Sequence, residues 1–103
     1  MLEINKQNNA EDDLINIWLY SLEQWDESTA DRYLDLLNRA IEKLRLHPRS
    51  GMDCSEIREG YRRLIVQQHR VYYYLTPQSI EIIRVLHQRT DEETQFQVLP
   101  AKP

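Results

Sequence analysis

Cysteine is nearly absent from this chain of 103 residues: one, Cys54, stands alone and has no partner for an internal disulfide. Glycine is scarce too, at 2 residues, which leaves no glycine-rich loop to cradle a phosphate. No apolar run is long enough to cross a membrane. The opening "MLEINKQNNAEDDL" lacks the basic-then-apolar order of a signal peptide, so a cytoplasmic location is expected. There is no nucleophile elbow, no internal repeat and no low-complexity tract. His47, His69, His87 and Cys54 are scattered without ligand spacing, so neither a metal nor a cofactor is expected.

The charge that is present is unevenly spread. Net charge is −4, yet residues 1–42 hold 3 basic and 10 acidic side chains, while residues 43–90 hold 9 and 4. The basic half suits an acidic partner. The whole is too acidic for a general nucleic-acid binder, and no direct sequence-specific nucleic-acid binding is expected.

Periodicity divides the chain. "MLEINK" predicts a short strand. In "AEDDLINIWLYSLEQW", Leu14, Ile17, Trp18, Ser21, Leu22 and Trp25 recur at helical spacing behind a run of acids, which suit a helix N-terminus. Ile15 and Leu19 add a second apolar stripe, more than one core needs. "DESTADRYLDLLNRAIEKLRLHP" predicts a second helix, with Ser28 and Asp31 as a capping box and Tyr33, Leu37, Ala40, Ile41 and Leu44 as its inner stripe. Pro48 ends it. Pro48, Gly51 and Gly60 then punctuate a loop, and "YRRLIVQQ", "HRVYYYLT" and "SIEIIRVLH" read as three strands joined by hairpins. The expected fold is α+β: a helical hairpin packed on one face of a small antiparallel sheet, in the order β-α-α-β-β-β. Residues 1–91 form one domain in this reading, and 92–103 a tail, irregular or with a short helical turn.

One constellation could carry chemistry. If Arg63 and His87 share the face that the helices leave bare, then Glu56, Arg63, Arg70 and His87 could support ribonuclease chemistry, with a base for a 2′-hydroxyl and arginines for phosphate. The plainer alternative is that the arginines are solvated strand-edge charges and that Tyr72, Tyr73 and Tyr74 are sheet packing. Alternation groups Arg84 with Ile82 and Leu86, where it would need a carboxylate partner.

The stretch "SGMDCSEIREGYRRLIVQQHRVYYYLTPQSIEIIRVLHQRTD" resembles the C-terminal half of the ParE toxins, in the RelE/ParE superfamily of toxin–antitoxin systems. The similarity rests on a glycine and paired arginines before a strand, on "HRVYYY", and above all on "IRVLHQRTD" closing the sheet. The two helical segments sit where that family places its helices, so the likeness runs from about Leu2 to Asp91.

The resemblance implies a toxin that inhibits DNA gyrase by binding it, without catalysis, and that a ParD-like antitoxin neutralises. RelE-like and YoeB-like relatives instead cut mRNA on the ribosome, and in that alternative Glu56, Arg63 and His87 would be catalytic. A third alternative is a non-toxic module that only binds antitoxin. On the leading expectation, Arg84, His87, Arg89, Asp91 and Phe96, with Leu99 beside them, contact gyrase, and Ile15, Trp18 and Leu19 receive the antitoxin.

Overall fold

The computed structural model describes residues 2–96, apart from the side chain of Glu93. Strand β1 (Glu3–Lys6) leads into helices α1 (Asn8–Gln24) and α2 (Glu27–Glu42). A 3-10 turn, Lys43–Arg45, follows α2 before the short strand β2 (Met52–Asp53). Strands β3 (Arg62–Val66), β4 (His69–Leu75) and β5 (Ser79–His87) come next, and one helical turn, α3 (Glu92–Gln95), closes the described chain.

The expected helical hairpin is present on one side of the sheet, and β3, β4 and β5 are antiparallel as predicted. The order across the sheet is β1-β5-β4-β3-β2. It departs from a purely antiparallel sheet at β1, which pairs parallel to β5 with Glu3 opposite Ser79 and Lys6 opposite Ile82. A parallel pair needs a long crossover, and everything between the two strands supplies it. Strand β2 falls inside the segment read as loop; two residues carry no readable alternation.

Helix α2 starts two residues earlier than its expected box. Asp26, not Ser28, is the cap, its carboxylate accepting from the Thr29 amide at 2.7 Å. The Thr29 hydroxyl and then its amide hold the Asp26 carboxyl below its usual range. Helix α1 meets α2 through Trp18, whose indole Nε1 donates to Asp31 at 2.8 Å.

The core lies between the helices and the sheet: Ala10, Leu14, Leu37, Ile41, Leu44, Val66, Val71, Tyr73, Ile80, Ile82 and Val85. Tyr73 also pins the loop after α2, donating to the Pro48 carbonyl at 2.7 Å and accepting from the Gly51 amide at 2.9 Å. A Cβ on Gly51 would stand 2.6 Å from that hydroxyl, so the close approach requires glycine.

One irregularity decides which side chains face where. The register slips between Tyr72 and Tyr73, so that Tyr72 faces Arg84 but Tyr73 faces Ile82. Ile83 is the extra residue of a β-bulge, and Ile82 and Val85 both join the helix-side core. Arg84 therefore does not share a face with Ile82, contrary to simple alternation.

Candidate functional site

Arg84 does have the carboxylate that its position calls for. Asp13 of α1 accepts from Arg84 Nε at 2.7 Å and from a terminal guanidinium nitrogen at 2.8 Å. The same carboxylate accepts from the Val85 amide at 2.9 Å, just past the point where β1 stops pairing with β5. Asp13 thus closes the open part of that edge, where an unpaired amide would be costly. The bond to Asp13 raises the Arg84 pKa. Arg84 is tied into the fold and is not a free docking cation.

Phe96 also departs from its expected role as an exposed anchor. It is 7% exposed and packs against Tyr72 (ring centroids 5.1 Å), Tyr61 (6.0 Å), Cys54 and Leu86 on the sheet face away from the helices. Leu99 lies outside the described residues. His87 and Arg89 are exposed at the end of β5, where the Arg89 amide donates to His87 Nδ1 at 3.1 Å. Asp91 accepts from the Thr94 hydroxyl at 3.0 Å.

The proposed nuclease residues are not brought together. Register places His87 opposite His69, on the helix side with Val85, and Arg63 opposite Tyr72 on the other side. Glu56 is exposed in the loop between β2 and β3. What Arg63 meets instead is Glu92. One carboxylate oxygen accepts from Arg63 at 2.5 Å, from Arg70 at 3.1 Å and from the Tyr72 hydroxyl. Arg70 also donates to the carbonyls of Gln88 and Thr90, fixing the chain that leads into α3. Burial works against ionising Glu92, but the Tyr72 and Arg63 hydrogen bonds and the two guanidinium charges outweigh it, and its pKa is lowered. Burial and the neighbouring carboxylate together push the Tyr72 phenol up.

The apolar periodicity of the chain does not single out Glu92. The available signal is "DEETQF": an aspartate before a carboxylate and an aromatic four residues apart, the spacing of one face of a helical turn. Cys54 is buried beneath Phe96, and burial pushes its thiol up to about 11, which makes it a packing group. Among the described residues no three histidine, cysteine or carboxylate side chains are placed to hold a metal ion, and no helix is long and apolar enough to cross a membrane.

The helix side has its own cluster. His69 is nearly buried, its Nδ1 2.6 Å from the Tyr33 hydroxyl and its ring edge-to-face with His87 at 5.2 Å. Burial first, then the His87 charge, lowers the His69 pKa to about 4, against a weaker pull from Asp13. A cleft of about 780 Å³ opens beside this cluster, with Tyr20 and Trp25 exposed among its walls. Ile15 and Leu19 of α1 are exposed as a separate pair one helical turn apart, and Trp18 is half-buried between the helices.

The family described as the ParE toxin of type II toxin–antitoxin system, parDE, matches residues 5–92. The chain belongs to that family. Two relatives bear the name Toxin ParE1. The one from Mycobacterium tuberculosis is 40% identical over 83 residues, covering 80% of this chain and 85% of the relative. The one from Caulobacter vibrioides is 40% identical over 79 residues, covering 77% and 81%. A solved chain described as "Chromosomal ParDE TA system from P. aeruginosa" superposes with a TM-score of 0.75 at 16% identity, over 84% of this chain and 96% of the other. This likeness is one of fold. As a ParE-family member the chain is the toxin component of a type II toxin–antitoxin system. The stretch matched ends at Glu92, the residue on which Arg63, Arg70 and Tyr72 converge.

Proposed function

We propose that this toxin inhibits DNA gyrase by binding it, with no catalysis of its own, and that a ParD-like antitoxin neutralises it. The observation that carries the binding reading is the disposition of the polar residues: Arg63 and His87 are on opposite faces of the sheet, and Arg63 is occupied by Glu92. General acid–base chemistry on RNA would need such groups within reach of one reacting bond. Membership of the ParE toxin family supports gyrase as the target. Of the residues at the exit of β5, His87, Arg89 and Asp91 are exposed and remain its proposed contacts, whereas Arg84 is held by Asp13 and Phe96 is buried.

The proposed antitoxin surface is α1, where Ile15 and Leu19 are 57% and 48% exposed and Trp18 lies beside them. An apolar stripe of this kind suits a segment that folds as it binds. The test is to add purified toxin to gyrase supercoiling and to ribosome-bound mRNA. Supercoiling is expected to stop, mRNA to stay intact, and antitoxin to restore supercoiling. Leu19→Asp is expected to weaken antitoxin binding at least tenfold while the fold is kept. Cleavage of mRNA that His87→Ala abolishes would replace this reading with the nuclease one.

A further inference from the structure

The sheet face away from the helices ends in a socket with two halves. The polar half is Arg63, Arg70 and Tyr72, three donors from β3 and β4 aimed at one carboxylate oxygen. The apolar half is Cys54, Ile57, Tyr61 and Leu86 around the Phe96 ring. The occupant of both halves is α3 (Glu92–Gln95) with Phe96 directly after it, and carboxylate and ring stand four residues apart and so on one side. A lone turn does not hold a helical shape by itself. Its residence depends on those two side chains and on a 3.2 Å contact between Gln95 and Arg84.

We propose that this socket is a docking site for an acidic helical turn of a partner protein, carrying a carboxylate and, four residues later, a large apolar side chain, with Glu92–Phe96 acting as a built-in plug. The socket itself shows the chemistry that it accepts: a carboxylate in the cationic half and a ring in the apolar half. The strands that carry Arg63, Arg70 and Tyr72 stay paired when the turn leaves, because they bond to one another and not to the turn. The tether is anchored at its base, where the Gln88 amide donates to the Gln68 carbonyl at 2.8 Å. A plug joined by so short a tether acts at a high effective concentration. A partner then binds with an affinity reduced by the fraction of time that the socket is open. The proposal does not depend on which protein supplies the turn.

The test uses the full chain carrying Glu92→Ala and Phe96→Ala, titrated with a fluorescent peptide of residues 90–96 and followed by anisotropy. The double variant is expected to bind the peptide at least tenfold more tightly than the parent, whose socket is filled. Changing the peptide's glutamate at position 92 to glutamine, or its phenylalanine to alanine, is expected to undo that gain, as is Arg63→Gln in the protein. Circular dichroism checks the fold, and Glu92→Gln alone, with the ring retained, serves if the double variant unfolds; it is expected to show a smaller gain of the same sign. A folded variant that binds the peptide no better than the parent overturns the proposal. So does one that prefers a single-stranded oligoribonucleotide of matched length, since the cationic half would then be reading phosphate.

Discussion

On the helix side of the sheet, Val71, Tyr73, Ile80, Ile82 and Val85 pack on Ala10, Leu14, Leu37 and Ile41, and the contacts are spread over many apolar side chains. On the other side a single carboxylate and a single ring, Glu92 and Phe96, hold down one helical turn. Burial spread over many residues stabilises the whole domain, because no part of it can be released alone. A turn held by so few side chains can open while the rest stays folded. The sheet thus pairs a structural face with one that is separable.

The largest expected contrast is in side-chain truncation. Ile82→Ala removes a fully buried group from the helix side and is expected to cost about 2–5 kcal/mol in urea unfolding. A cost below about 1 kcal/mol would contradict the assignment of that side as the stabilising one. The faces should also respond to acid in different windows. His69 titrates near 4 in the folded chain against an ordinary 6.5, so the folded state binds fewer protons. Its contribution is complete above 6.5 and lost as pH falls from 6.5 towards 4, on the order of 3 kcal/mol. Glu92 is also lowered, but its contribution is complete above the ordinary glutamate value and is lost only as pH falls below it. Thermal melts against pH should therefore flatten in the upper window with His69→Gln and in the lower one with Glu92→Gln.

Phe96→Ala is expected to cost only about 1–2 kcal/mol in global stability, less than burial of a ring in a closed core, because the turn can detach instead. Amide exchange should nonetheless speed up at Gln95 and Phe96, whose amides bond to Asp91 and Glu92. The smallest effect is expected at the β3–β4 turn, where Gln67 has a φ of 57°. Gln67→Gly should stabilise the domain by about 1 kcal/mol, read as a raised Tm, by relieving a left-handed conformation.

Periodicity and turn chemistry are local, and they made the two helices, the three hairpin strands and the inner residues Leu14, Leu37 and Ile41 legible. Arg84 could be seen to need a carboxylate, because a half-buried guanidinium carries that demand wherever it sits. Which carboxylate answers was not legible: Asp13 lies 71 residues away and looks like one more acid at a helix start. The bulge at Ile83 was hidden for a similar reason, since both sides of "EIIRVL" are apolar enough to fit either alternation. The grouping of Arg63 with His87 failed on parity, one residue's difference in register being enough to change the face. Glu92 was hidden among charges that ordinarily stay in solvent.

The parallel pairing of β1 with β5 also sets a schedule. Glu3 pairs opposite Ser79, so the first strand waits for the last before it has a neighbour in the sheet. At about 5–20 residues per second, roughly 4–15 s separate the synthesis of Glu3 from that of Ser79. For that interval α1 lacks the Val85 amide that Asp13 will accept from, and both helices lack Ile80, Ile82 and Val85, the β5 share of their core. A message cut or stalled before that codon yields a chain with helices but no closed sheet.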